Sequence, residues 1–221
     1  MQLTRISKGF TLLELLIVIA ILAILGAVAI FVLNPAETLK ETRDTQRISD
    51  LATLKTALAL FITKSTSTVY LDANSNINCK NGATPKVFYS VPSDGSGGQI
   101  TDITFDTPSG PYAASSSQAT SANFTNTDGT GWIKANLSVL MGGSPISDMP
   151  VDPTNSIGTL SAVTSTDLVY RFVCQNDTTF EVNAQLESTS LGARKGRDGG
   201  NNTNFYEVGT RLSILGSGSD F

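Results

Sequence analysis

Glu14 is the residue whose type and position most need a chemical explanation. It is the only ionisable side chain between Phe10 and Leu33, a stretch made almost entirely of apolar residues. A lone carboxylate in a membrane segment costs on the order of 2–3 kcal/mol even on lenient insertion scales. Such a group usually has a partner, and we expect none within its own helix. Glu14 therefore either lies shallow enough to reach water and headgroups or awaits a positive charge on another molecule.

The remaining residues give little sign of catalytic chemistry. The chain has no histidine, which excludes Ser-His-Asp and Cys-His catalysis and histidine-based zinc sites. Its scattered Asp and Glu residues single out no pair for glycoside hydrolysis, and no phosphate-binding loop is present. The formal net charge of −4 argues against a non-specific nucleic-acid surface. We predict a protein with no catalytic residues that is not an enzyme.

Two cysteines and a few acidic turns are the remaining candidate sites. Cys79 and Cys174 either form one disulfide across an exported domain or remain two unpaired buried thiols. Asp148, Asp152 and Asp198 lie in turn-rich segments whose oxygens suit calcium. Neither segment has EF-hand spacing, and neighbouring Pro and Gly also explain these aspartates as turn formers. Calcium is the only cofactor for which the sequence offers candidates.

The apolar stretch is long enough to anchor the chain in a membrane. As a helix, residues 10–33 span about 36 Å, more than the roughly 30 Å of a hydrocarbon core. Arg5 and Lys8 precede it, so the positive-inside tendency places the N-terminus in the cytoplasm and the rest outside. A cleaved secretory signal is the alternative, with Ala27-Val28-Ala29 as its small-residue site. The apolar run continues past that site, which favours a retained helix.

A second, amphipathic helix is predicted beyond a break at Asn34-Pro35, since proline disrupts the preceding turn. We assign it to residues 34–64. Its apolar stripe consists of Ile48, Leu51, Leu54, Leu58, Phe61 and Ile62. We expect Lys40, Arg43, Arg47, Asp50 and Lys55 on the opposite side, with Arg47 and Asp50 as an i,i+3 pair.

Residues 65–221 are predicted to form a β-rich head. The expected strands are 86–91, 168–174 and 180–186, with one or two more within 205–215. A hairpin turn at 175–178 joins two of them, and 180–186 alternates as a half-buried strand would. Residues 132–137 form a strand or a short helix, and 115–131 a long surface loop. Arg194, Lys195 and Arg197 are expected in a solvated loop. The fold class is α+β: a long helix packed on a small antiparallel sheet.

The segment Lys8-Gly9-Phe10-Thr11-Leu12-Leu13-Glu14 resembles the processing signature of the type IV pilin superfamily, which includes pilins and the pseudopilins of type II secretion. The resemblance implies that a membrane prepilin peptidase removes residues 1–9 by cutting between Gly9 and Phe10, and that Phe10 is then N-methylated. It also implies that Glu14 pairs with the Phe10 amine of a neighbouring subunit. A pilin-like fold, an assembly platform and a separate ATPase are implied as well.

Two filament roles remain open. Residues 132–153 and the segment from Asp198 to Gly209 resemble major pseudopilins, which hold calcium with a C-terminal loop. A surface pilin is the other role, although the late disulfide loop of pilins is missing because Cys79 lies just beyond the helix. A membrane-anchored binding module or adhesin that does not polymerise is the alternative from another class. We expect a single-pass protein of the inner or cytoplasmic membrane, with identical or related subunits as partners.

Overall fold

The computed structural model describes most of the chain after the first eight residues. The described ranges are 9–66, 68–72, 75–80, 86–92, 113–114, 119–157, 164–176 and 178–216. The chain divides into two compact units, Met1–Lys40 and Glu41–Phe221.

The first helix, α1, spans Leu12–Leu33. It begins two residues later than the predicted start because Thr11 has extended backbone angles and caps the helix. Asn34 ends it in the left-handed conformation, with φ 38° and ψ 70°. Pro35 then opens the next helix, where its missing N–H is not needed. The predicted break at these two residues is confirmed.

The second helix, α2, spans Pro35–Lys64, so its predicted end at residue 64 is confirmed. From Glu41 onward it belongs to the second unit. Four residues of the predicted stripe are almost completely buried: Leu51, Leu54, Leu58 and Phe61. They share one hydrophobic core with the sheet residues Phe172, Phe180 and Val182. A helix with one apolar face packed on a sheet is the predicted α+β architecture.

The sheet has five strands in the order β2-β1-β3-β4-β5. The strands are β1 Lys86–Tyr89, β2 Ala113–Ala114, β3 Tyr170–Cys174, β4 Phe180–Ala184 and β5 Tyr206–Gly209. The ladder β1-β3-β4-β5 is antiparallel, as predicted, and the hairpin from β3 to β4 is present. Strand β2 pairs in parallel with β1 over two residues and was not predicted. A parallel pair this short carries no periodic signal.

Several local predictions were wrong. Residues 132–136 form neither a strand nor a helix, and only Leu137–Val139 form a 3₁₀ turn. Of the one or two strands predicted within 205–215, one is present as β5, and no second strand follows it within 210–216. The basic residues Arg194 and Lys195 lie in a 3₁₀ helix, Ala193–Gly196, instead of a loop, directly after the short helix α3, Thr189–Gly192. Arg197 lies in the turn that follows, and Arg194 and Arg197 are exposed to solvent as predicted. Residues 119–131 are turns, in keeping with the predicted loop, whose first residues 115–118 fall outside the described ranges.

The prediction for strand β4 needs a correction of a different kind. Its alternation of apolar and polar residues predicted one buried and one exposed face. In the structure all five of its residues are buried. The polar face lies inside the protein because a second, smaller apolar cluster packs on that side of the sheet, and this cluster includes Ile214 and Leu215 from the end of the described chain.

Candidate functional site

The start of α1 forms a compact local motif around Glu14. The Thr11 hydroxyl accepts a hydrogen bond from the Glu14 amide at 3.2 Å. In return, the Thr11 amide and hydroxyl donate to Glu14 Oε2 at 2.9 and 2.8 Å. This is a capping box, in which a residue before the helix and the third helical residue satisfy each other's backbone donors. The expectation that Glu14 has no partner in its own helix was therefore wrong, although both donors are neutral groups.

The predicted cleavage position, Gly9-Phe10, lies directly before this motif. Both residues are outside any helix, and the Phe10 side chain is 78% exposed. A Cβ built on Gly9 would meet no heavy atom within 4 Å, so the backbone is open on that side. The basic residues Arg5 and Lys8 fall outside the described residues. An exposed, non-helical peptide bond is the form in which a protease binds its substrate.

Helix α1 exposes apolar side chains in every direction. Residues Leu12–Ile30 have a mean hydropathy of 3.0, and none of this segment is buried within the chain. Four successive residues, which lie about 100° apart around the helix axis, are each 45–57% exposed: Leu15, Leu16, Ile17 and Val18. A helix that is apolar all round must be surrounded by lipid or by other apolar helices. By length and composition this one can cross a membrane.

A family model described as the prokaryotic N-terminal methylation motif matches residues 4–30. The chain carries a type IV pilin-like signature. The matched range contains the predicted cleavage position, the capping box and most of α1. This type IV pilin-like signature marks a structural, non-enzymatic family processed by prepilin peptidase, and with α1 it supports membrane anchoring. No curated protein and no solved structure matches the chain.

The predicted cysteine pair lies in the second unit of the chain. Cys79 and Cys174 form a disulfide, with Cys174 at the end of β3. The neighbouring backbone is also connected, because the Lys80 amide donates to the Cys174 carbonyl at 2.7 Å. Of the two predicted states of these cysteines, the structure contains the disulfide. It ties the segment after α2 to the central sheet.

The three aspartates predicted for calcium lie in unrelated surroundings. Asp152 is buried and binds Arg47 through both carboxylate oxygens, at 2.6 and 2.9 Å. Asp148 is exposed, and Asp198 accepts backbone amides from Gly200 and Glu207 at 2.9 and 2.8 Å. In the ranges that the structure describes, no group of three or more Asp, Glu, His or Cys side chains could hold a metal. The structure does not bring the three aspartates together.

Arg47 is the centre of a buried ionic cluster. Its side chain is fully buried and contacts Asp44, Asp152 and Glu187 at 2.6–2.9 Å. Hydrogen bonds to these carboxylates raise the pKa of Arg47 against the opposing effect of burial. The predicted pairing with Asp50 was wrong, because Asp50 instead accepts from Gln46 and from the Tyr170 hydroxyl.

Glu187 sits at the edge of this cluster between two guanidinium groups. Arg43 donates to it through Nε and Nη2 at 2.8 and 2.9 Å, a two-point contact that suits a carboxylate. Hydrogen bonds from Arg43 and Arg47 lower the pKa of Glu187 to about 2. Asp44 accepts the backbone amides of Glu187 and Ser188, so the cluster holds the segment after β4 against α2.

A second buried acidic pair, Glu181 and Glu207, was missed by sequence reasoning. The two side chains are 0% and 1% exposed and come from neighbouring strands. Burial, and then the neighbouring Glu181 carboxyl, raises the pKa of Glu207 to about 9. Burial also raises the pKa of Glu181. The alternation of β4 hid this pair, because polar residues at every second position, such as Glu181 and Asn183, normally indicate a solvent-facing side.

Proposed function

We propose that this chain is the structural subunit of a type IV pilus-like filament. Prepilin peptidase cuts between Gly9 and Phe10, Phe10 is N-methylated, and α1 then joins the apolar core of a helical polymer. The single observation that carries the proposal is that α1 is apolar all round yet begins with one carboxylate, Glu14, whose contacts with the described residues are with neutral groups. The methylation motif at residues 4–30 supports the processing step.

Assembly into a filament explains both the exposed apolar surface of α1 and its single carboxylate. In the membrane, lipid surrounds the exposed apolar side chains, and in a filament the α1 helices of neighbouring subunits replace the lipid. Cleavage creates a new positive charge, the Phe10 amine, close to the only carboxylate of the segment. An ion pair between the Phe10 amine of one subunit and Glu14 of the next fixes the register of the helices, because an unpaired charge inside an apolar bundle is costly.

The location of the chain follows from its charges and its disulfide. Arg5 and Lys8 before the apolar helix favour a cytoplasmic N-terminus in the inner or cytoplasmic membrane. Disulfides persist in oxidising compartments and are rare in the cytosol, so the Cys79–Cys174 bond supports a head outside the cytoplasm. The chain lacks a phosphate-binding loop of its own, so we infer that an assembly platform and a separate ATPase supply the work of extrusion.

Both filament roles remain within the proposal: a type II secretion pseudopilin and a surface type IV pilin. Imaging separates them, because long surface fibres that contain this chain indicate the pilin and short envelope-spanning filaments indicate the pseudopilin. A binding module or adhesin that stays monomeric is the competing function. Chemical crosslinking separates it from both, because a filament subunit gives a ladder of multimers and an anchored monomer gives none.

Mass spectrometry of the mature N-terminus tests the processing step. We expect a chain that begins with N-methylated Phe10, whereas an intact Met1 or a new end near Ile30 would contradict the proposal. Two glycine variants sharpen the test, since a Cβ at Gly9 or at Gly26 meets no heavy atom within 4 Å. Gly9→Val should leave the leader in place. Gly26→Val, a matched change inside α1, should be processed normally.

A further inference from the structure

The head contains a surface cleft of about 560 Å³ between the end of α2 and the turns at residues 128–139. Sites for small ligands typically have volumes of roughly 300–1,000 Å³. The cleft lies entirely within the second unit of the chain. None of its described lining residues belongs to the ionic cluster around Arg47 or to the pair Glu181 and Glu207, so those features do not account for it.

Part of the lining is apolar and open to solvent. Tyr70, which follows α2, is 40% exposed and Val139 is 49% exposed, whereas Phe61 is almost completely buried. An exposed aromatic ring in a cleft offers a flat apolar face, and the hydroxyl of a tyrosine adds a polar group at its edge. This part of the cleft therefore suits a ligand that has a flat apolar face of its own.

The polar part of the lining consists of side chains that local turns hold in place. Asp128 Oδ1 accepts the Thr130 amide at 3.0 Å and the Thr130 hydroxyl at 2.6 Å. Asn136 Oδ1 accepts the Ser138 amide and hydroxyl in the same way, at 3.1 and 2.6 Å. An antiparallel bridge pairs Asp128 with Asn136, and paired residues carry their side chains on the same side of the backbone. Two fixed polar side chains thus lie next to each other in the cleft.

Each of these two side chains keeps one polar atom for a ligand. Asp128 Oδ2 and Asn136 Nδ2 make no hydrogen bond to any other described residue. The first atom is an acceptor and the second is a donor. Hydrogen bonds from Thr130 lower the pKa of Asp128, so its side chain is a carboxylate at neutral pH. The cleft therefore presents a charged acceptor beside a neutral donor.

The composition of the lining narrows the class of ligand. Asp128 is the only charged side chain among the described lining residues, and Lys134 lies close by, with Nζ 3.3 Å from the Thr130 carbonyl. A phosphate or sulfate group would need Lys or Arg in the lining itself. None of the described lining residues lies on a strand of the sheet, so an extended peptide finds no strand edge to pair with. An uncharged ligand with both hydroxyls and an apolar face fits best.

We propose that this cleft binds an uncharged sugar residue of a polysaccharide. One face of a hexose ring carries only C–H groups and stacks on Tyr70, while hydroxyls at the edge of the ring donate to Asp128 Oδ2 and accept from Asn136 Nδ2. The site belongs to the head alone and stands whether or not the chain polymerises. In a filament every subunit carries one copy, so weak binding at each site adds up to firm attachment to a polysaccharide.

Binding of the full chain to immobilised polysaccharides tests the proposal. The chain, in a detergent without sugar headgroups, is passed over dextran, mannan and galactan surfaces, with heparin as the acidic control. Surface plasmon resonance measures the retention. We expect the chain to be retained on at least one of the three neutral polysaccharides and to be eluted by the free monosaccharide of that polymer at millimolar concentration. We expect no retention on heparin.

Variants of the lining locate the binding site. Tyr70→Ala should weaken binding at least tenfold, whereas Tyr70→Phe, which keeps the aromatic ring, should bind nearly as well as the wild-type chain. Asp128→Asn should weaken binding about tenfold, because a neutral amide is a weaker acceptor than a carboxylate. Asp148→Asn, the same change at an exposed carboxylate outside the cleft, should leave binding unchanged.

These variants should fold, because Tyr70 is partly exposed and the amide oxygen of Asp128→Asn can still accept from Thr130. Circular dichroism checks this. The proposal is overturned if the wild-type chain is retained on none of the three neutral polysaccharides, or on heparin alone. It is equally overturned if Tyr70→Ala and Asp128→Asn both bind as tightly as the wild-type chain, which would place the sugar elsewhere on the head.

Discussion

Two charged side chains in apolar surroundings, Glu14 and Arg47, have opposite kinds of partners. At the start of α1, Glu14 lies among exposed apolar side chains and receives hydrogen bonds from the neutral groups of Thr11. In the head, Arg47 is fully buried and is neutralised by carboxylates from α2 and from two distant segments. Among the described residues Glu14 has no charged partner, whereas Arg47 has three.

The two charges differ in where their ionic partners come from, the same chain or another molecule. The partners of Arg47 are supplied by the same chain, so its cluster contributes to the stability and uniqueness of the fold. No residue of the described part of the chain gives Glu14 an ionic partner, so either an opposite charge comes from elsewhere or Glu14 stays near water. We infer that the buried charges of the head acquire their partners when the chain folds, and that Glu14 acquires its partner when subunits assemble.

The largest effect should come from Glu14→Val. The change makes α1 more apolar, so membrane insertion and cleavage should persist. Filament growth should fail, because removing one partner of a desolvated charge pair costs about 2 kcal/mol or more per contact, roughly a thirtyfold loss of subunit affinity. Crosslinking ladders and electron microscopy measure the polymer. Glu37→Gln, at an acidic residue in the first turn of α2, is the matched control and should assemble normally.

Normal filaments from Glu14→Val would remove the contrast between the two regions. The carboxylate would then serve only as the helix cap seen in the single chain. In that case Thr11→Ala, which removes the other half of the capping box, should do as much harm as Glu14→Val. Under our proposal Thr11→Ala is the milder change, because it leaves the charge of Glu14 in place.

Arg47→Met should have the next largest effect, on the stability of the head. It leaves Asp44 and Asp152 buried without their cation, and breaking a buried ion pair typically costs about 3–5 kcal/mol. Arg43→Met is the control, since its side chain is 34% exposed and a pair open to solvent contributes about 1 kcal/mol or less. Denaturant unfolding followed by Trp132 fluorescence compares them. Equal stability of the two variants would show that the buried cluster adds nothing.

The sequence predicted those features that depend on neighbours along the chain. Three such features are defined by residues a few positions apart: the leader motif, the break at Asn34-Pro35 and the apolar stripe of α2. The family match confirms the motif, and the structure confirms the break and the part of the stripe that faces the core. The strands β3 and β4, of five residues each, are also long enough for a strand pattern to appear. Local patterns of this kind are strong because each residue is judged against a period of 2 or 3.6.

The features that the sequence did not reveal depend on distant partners. Arg47 was placed on the solvent side because a charged residue is normally exposed, but its partners Asp152 and Glu187 lie 105 and 140 positions away. Glu181 and Glu207 were hidden because the segment that covers them has no pattern of its own. Their burial depends on Ile214 and Leu215 packing over that side of the sheet. Sequence periodicity assigns each side chain to one face of its helix or strand, but it does not show which segment packs on that face.

The smallest effect we predict is a dependence on acid pH that belongs to the head. The pKa of Glu187 is lowered to about 2 in the folded chain, so its contribution to stability is full above its unfolded pKa of roughly 4.3 and is lost as the pH falls toward 2. We expect a loss of about 1–2 kcal/mol across that window, less than the shift alone implies, because Arg43 is partly exposed to solvent. Unfolding at pH 5 and pH 3 measures the change, and Glu187→Gln should reduce the difference between the two pH values. If this variant loses as much stability as the wild-type chain, other carboxylates control acid unfolding and Glu187 is not held by the two arginines as tightly as its contacts indicate.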